Sequence, residues 1–167
     1  MIWKRRRITA AAVDGSAARD VAPHLEPIQL FVRTGVITGW IEPEGQRISD
    51  LLAGQPALRI RDDDDGWSTV SVEDILVAAP PRHASTRRIH RAKRRVAFDV
   101  PPYEIVGTAH LAPGTQLDPF VLRSGRPILP LTNAWIHDTD TDTDYHFDTA
   151  IVTVRAVAAA RELLGPA

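Results

Sequence analysis

The chain has no cysteine and a single methionine in 167 residues. Without thiols it has no disulfide framework, no thiolate nucleophile and no zinc or iron–sulfur centre of the kinds that need sulfur ligands, which fits a reducing compartment. Charge of one sign is not in excess: twenty Lys and Arg against twenty-one Asp and Glu leave a formal net charge of −1. That sum points neither to a polyanionic partner nor to an acidic tail. No run approaches the eighteen consecutive apolar residues of a membrane-spanning helix. The opening MIWKRRRITAAAVDG starts basic but lacks the apolar centre of a secretory signal, so the expectation is a cytoplasmic protein.

Catalytic signatures are missing too. The sequence holds no H-E-x-x-H, nucleophile elbow, phosphate loop or dinucleotide fingerprint. His24, His83, His90, His110, His137 and His146 are scattered along it. Asp99 and Glu104 flank a Pro-Pro pair, but nothing in their surroundings predicts the burial that would split two carboxyl groups into acid and base. The expectation is a protein that is not an enzyme and needs no cofactor.

What is present is an internal echo. From Gly39 the chain reads GWIEPEGQRISDLLAGQPALRI, and from Gly107 it reads GTAHLAPGTQLDPFVLRSGRPILPL. Allowing two short gaps, Gly39 matches Gly107, Gly45 matches Gly114, Ile48 matches Leu117 and Leu51 matches Phe120. The run Gly54, Pro56, Leu58 then matches Gly125, Pro127, Leu129. Such self-similarity is the mark of a repeated structural unit.

Local chemistry gives each copy the same outline. IQLFVRTGVI in the first, and VAFDV with YEIV in the second, are rich in β-branched and aromatic residues and predict strands. Pro and Gly in IEPEG and LAPG predict the turn that follows. Ser49 and Asp118 stand as helix caps, Pro119 suits a first helical turn, and Gly54 and Gly125 suit the stops. Two turns of helix are too short to stand alone and must lie on a sheet. Each copy then returns to strands: ALRIR, WSTVSV and DILVAA in one, ILPLTNAWIH and FDTAIVTVRAV in the other.

Between those returning strands lie the acidic stretches, residues 62–65 in the first copy and HDTDTDTDYHFD in the second. Carboxylates repel one another and resist burial, which suits hairpin tips that must stay in water. The sharper reading is a metal site. Asp138, Asp140, Asp142 and Asp144 alternate, so an extended backbone would turn several carboxylates to one face, a weak oxygen site for Ca²⁺ or Mg²⁺. The pattern lacks the glycine and terminal glutamate of an EF-hand loop.

Charge is unevenly spread. Residues 28–81 carry four basic and nine acidic groups, and residues 96–157 three and eight, whereas residues 82–95, RHASTRRIHRAKRR, carry seven basic groups and no acidic one. This cationic linker either lies over its own acidic neighbours or binds phosphates, with Arg87, Arg88, Arg91, Lys93, Arg94 and Arg95 as candidate nucleic-acid ligands.

The expected architecture is therefore mainly β or α+β. Residues 1–27 form an N-terminal arm, 28–81 the first repeat, 82–95 the basic linker, 96–157 the second repeat and 158–167, in RAVAAARELL, a C-terminal helix. Each repeat reads strand, strand, short helix, strand, strand, and the two small sheet domains pack as a pseudo-symmetric pair because one alone buries too little. The stretch GTAHLAPGTQLDPFVLRSGRPILPLTNAWI resembles a bacterial small-barrel domain of the Sm-like or SH3-like kind, here in two tandem copies of roughly 50 residues each. It differs from Sm proteins in placing a helix between the second and third strands and in lacking their uridine-stacking motif. The resemblance implies a binding or scaffolding module, with a protein partner or a second copy of the chain as the expected ligand.

Overall fold

The computed structural model describes residues 24–64, 66–80, 92–117, 121, 125 and 127–163. The protein is mainly β. Its strands are β1 (Glu26–Val32), β2 (Gly35–Ile41), β3 (Ala57–Arg61), β4 (Trp67–Ser71), β5 (Ile75–Ala79), β6 (Ala92–Val100), β7 (Tyr103–Leu111), β8 (Ile128–Asp138), β9 (Thr143–Thr153) and β10 (Ala159–Glu162), with a helix α1 (Ile48–Gly54) between β2 and β3. All ten strands join one sheet in the order β10-β6-β7-β8-β9-β5-β1-β2-β3-β4, and every pairing is antiparallel. The expectation of separate small sheets gives way to this continuous ladder, because β5 and β9 pair across the middle of the chain.

That order contains two successive runs, β5-β1-β2-β3-β4 and β10-β6-β7-β8-β9, with the same sequence of neighbours. Bonds at matching places agree. A 3-10 turn, Val72–Asp74, precedes β5, and another, Val154–Ala156, follows β9. The Val72 amide donates to the Pro56 carbonyl at 2.9 Å, and the Val154 amide donates to the Pro127 carbonyl at 2.9 Å. Gly39 and Gly107 share a steric reason. A Cβ on Gly39 would collide with the Arg61 carbonyl and lie 2.6 Å from Ile60 Cγ2, whereas one on Gly107 would lie 3.0 Å from Leu131 Cβ. Each glycine lets its strand pass close to the next.

Two apolar clusters fill the fold. One gathers Leu30, Ile41, Leu51, Leu58, Ile60 and Ile75 around α1, and the other gathers Phe98, Tyr103, Ile105, Leu111, Leu131 and Ile136. The clusters exchange side chains: Phe31 and Val77 from the first half belong to the second core, and Ile151 from the second half belongs to the first. This is why β5, ILVAA, is buried at every position, its two faces being covered by different cores. Leu117 and Val121 are buried in the second cluster, in the place that Ile48 and Leu52 hold in the first.

Four expectations are corrected. First, the C-terminal helix is absent from residues 154–162, which form the 3-10 turn and strand β10, paired along β6 from Ala159 opposite Asp99 to Glu162 opposite Val96. RAVAAARELL has helical propensity, but so short a helix is marginal in water, and the open edge of β6 offers it backbone partners. Second, the basic run is not all linker, since β6 begins at Ala92. Third, α1 starts at Ile48 with Arg47 in the capping position and no side-chain cap, so Ser49 lies inside the first turn. Fourth, β8 and β9 each run to 11 residues, so that part of the acidic run is strand rather than loop. Residues 1–23 of the arm, the linker up to Arg91 and the candidate cap Asp118-Pro119 fall outside the described residues, and the end of the arm is already strand, since β1 begins at Glu26.

Candidate interaction surfaces

The acidic run caps the longest hairpin. β8 and β9 pair from Ile128 opposite Thr153 to Asp138 opposite Thr143, leaving residues 139–142 as the turn. Asp138 is buried at 4% exposure, and its Oδ1 accepts the Asp140 amide at 3.0 Å. The shorter β3–β4 hairpin has the same local device, with Asp62 Oδ1 accepting the amides of Asp64 at 3.1 Å and Gly66 at 2.7 Å. In both, a carboxylate at the strand end organises the turn, as Asp side chains do. Thr139 ties the long tip to the β6–β7 turn by its amide and its hydroxyl, both donating to the Pro102 carbonyl, at 3.0 and 2.8 Å.

The four alternating aspartates do different jobs. Asp144 engages His137 Nδ1 at 2.8 Å, and Asp142 stands 3.9 Å from His137 Nε2 while 99% of its side chain is exposed. The bond to Asp144 raises the His137 pKa above its usual range, with Asp144, Asp142 and Glu104 adding attraction for the imidazolium and partial desolvation opposing it. Trp135 stacks on the same imidazole, ring centroids 5.6 Å apart. Among the described residues no group of three or more acidic or imidazole side chains is arranged to hold a metal ion.

Of the six candidate nucleic-acid ligands, Lys93, Arg94 and Arg95 lie on β6, and Arg87, Arg88 and Arg91 fall outside the described residues. Lys93 is exposed. Arg94 is engaged within the chain, its Nη1 3.0 Å from Glu162 Oε2 on β10, and Arg95 Nη1 donates to the Asn133 carbonyl at 3.4 Å. Strand alternation places Arg94 and Arg95 on opposite faces, so the three side chains do not form one cationic stripe.

Among the described residues the sheet has two ends, β4 and β10, each with a single neighbour. At the first, Trp67 is the large apolar side chain left exposed among the described residues, at 45%, with the Arg59 guanidinium 4.6 Å from its ring centroid. Sequence patterning did not single out these edges, because edge status depends on pairing across the whole chain. A shallow groove at the join of the two halves is lined by Gln29, Thr38, Asn133, His146 and Asp148, and Gln29 Oε1 is buried there without a hydrogen-bond partner. No helix among the described residues is long and apolar enough to cross a membrane.

Comparison with protein-family models, curated proteins and solved structures yields no match.

Proposed function

We propose that the chain is a cytoplasmic, non-enzymatic scaffold or adaptor, built as a tandem pair of small-barrel units of the Sm-like or SH3-like kind, which acts by binding protein. One observation carries this reading: the two five-strand runs have the same neighbour order and are joined by an edge strand from each, β5 and β9. Unit-to-unit association through strand edges is already the chain's own building rule. Strand pairing supplies affinity through backbone bonds, while side chains beside the edge choose the partner.

The test is isolation from native cells at moderate salt with half the sample treated with nuclease. The scaffold reading predicts a stoichiometric protein, another chain or further copies of this one, that survives nuclease. Companion material that is nucleic acid alone, released by nuclease and by neutralising Arg87, Arg88, Arg91 and Lys93, would replace it with a phosphate-binding role for the basic segment.

A further inference from the structure

We infer that the chain associates head to tail with copies of itself, β4 of one chain pairing antiparallel with β10 of the next. The inference rests on the scaffold reading and names its partner. Counted in chain order, β9 is the fourth strand of its half and β5 the fifth of the other, and they pair with Val77 opposite Val152 and Ala78 opposite Ile151. The strands left at the two ends are β4, a fourth strand, and β10, a fifth. Among the described residues, the protein thus makes once, internally, the joint whose two halves stand unused at opposite ends of the sheet. A contact between two different patches repeats from copy to copy, giving a ring if its rotation closes and a filament if it does not.

The internal joint fixes the register of the external one. Val70 pairs with Leu58 as Val152 pairs with Leu129, so Val70 and Thr69 stand for Val152 and Ile151. Ala160 pairs with Phe98 on β6 as Ala78 pairs with Leu30 on β1, so Ala159 and Ala160 stand for Val77 and Ala78. The joint between copies therefore sets Ala159 opposite Val70 and Ala160 opposite Thr69, then Arg161 opposite Ser68 and Glu162 opposite Trp67.

Three features fit that register. Thr153 fastens the internal joint by donating its hydroxyl to the Ile75 carbonyl at 2.8 Å. Its counterpart Ser71 is also a hydroxyl; it accepts the Glu73 amide at 3.3 Å and keeps its proton for the Val157 carbonyl of the next copy. Exposed Trp67 lies within the strand to be covered. And β4, WSTVS, has neither a charge nor a proline, the usual guards of a free edge.

The external joint is the weaker one. Thr69 replaces Ile151, which is inserted in the neighbouring core, and Glu73 replaces Arg155, whose guanidinium donates to the Val72 carbonyl at 2.8 Å. A carboxylate cannot make that bond, so association depends on protein concentration.

Because the chain has no cysteine, the register can be read by cross-linking. Full-length Thr69→Cys and Ala160→Cys proteins are prepared separately, mixed and gently oxidised; directly opposite residues in an antiparallel pair, with Cα atoms about 4.5–5.5 Å apart, lie within disulfide reach. The mixture is expected to yield a linked pair of twice the 18.4 kDa chain mass, and each variant alone to stay single. No linked product from variants that melt like the parent overturns the inference, as does efficient linking of either variant with itself, which would mean symmetric pairing. If linking fails but a different protein accompanies the chain from cells, the scaffold reading stands and self-association falls. If neither is found, both fall.

Discussion

The Tyr103 hydroxyl lies 2.8 Å from the Val32 carbonyl and 2.9 Å from the Gly35 carbonyl, joining the first strand of one half to the turn-side end of β7 in the other. Tyr103 is fully buried, and burial first, then the nearby Asp138, Tyr145 and Asp140, pushes its pKa well above the ordinary phenol range. That shift favours the neutral phenol, the form that donates. Tyr103→Phe removes that proton from beside two carbonyls and is expected to cost about 1–3 kcal/mol in denaturant unfolding. A loss below ~0.5 kcal/mol would mean that the bond does not fasten the halves.

Phe31 belongs by sequence to the first half but sits edge-on to Tyr103, Tyr145 and Phe147 in the second, with ring centroids 5.3, 5.1 and 5.8 Å away. Phe31→Ala is predicted to destabilise by about 3–5 kcal/mol through the cavity it leaves. Because the two clusters exchange side chains, the parent should unfold in one transition when followed by tryptophan fluorescence and by far-ultraviolet dichroism. Two well-separated transitions in the parent would show that the halves fold independently.

The paired glycines predict an asymmetry. Gly39→Ala meets backbone oxygen and cannot be relieved by a rotamer change, whereas Gly107→Ala presses on the Leu131 side chain. Overpacking of this sort costs about 1–3 kcal/mol. Thermal melting should place Gly39→Ala at the upper end and Gly107→Ala at the lower, and the reverse order would contradict the packing described.

His137 gives the long hairpin a pH dependence. Its folded pKa is raised, so the stabilisation from Asp144 is complete below the unfolded value of about 6.5 and is lost as pH rises through the folded value. Imidazole resonances should titrate with a midpoint above that of an ordinary histidine, and Asp144→Asn should lower it. A midpoint unchanged by that substitution would remove Asp144 as the cause.

Much of the strand content was legible, since alternation of β-branched and aromatic residues in IQLFV or FDTAIV reports local half-burial. The acidic stretches were legible as turn positions only in part: residues 62–64 and 139–142 lie between paired strands, whereas Asp138, which is buried, and Asp144 lie on β8 and β9. What was hidden depends on distant partners. The Ala-rich end reads helical on its own and becomes β10 through the edge of β6, aided by Arg94 and Glu162. Arg94 and Arg95 read as part of a basic linker, either lying over its acidic neighbours or binding phosphates, and the partners they find lie 68 and 38 residues away. The exposure of Trp67 also follows from β4 ending the sheet, a property of the whole order of strands.

The most direct test of association through strand edges is the sedimentation of the pure, full-length chain over a wide range of concentration. The account predicts a mass that rises with concentration in multiples of 18.4 kDa and falls back when β4 is blocked by Thr69→Lys. A single 18.4 kDa species at every concentration would contradict it.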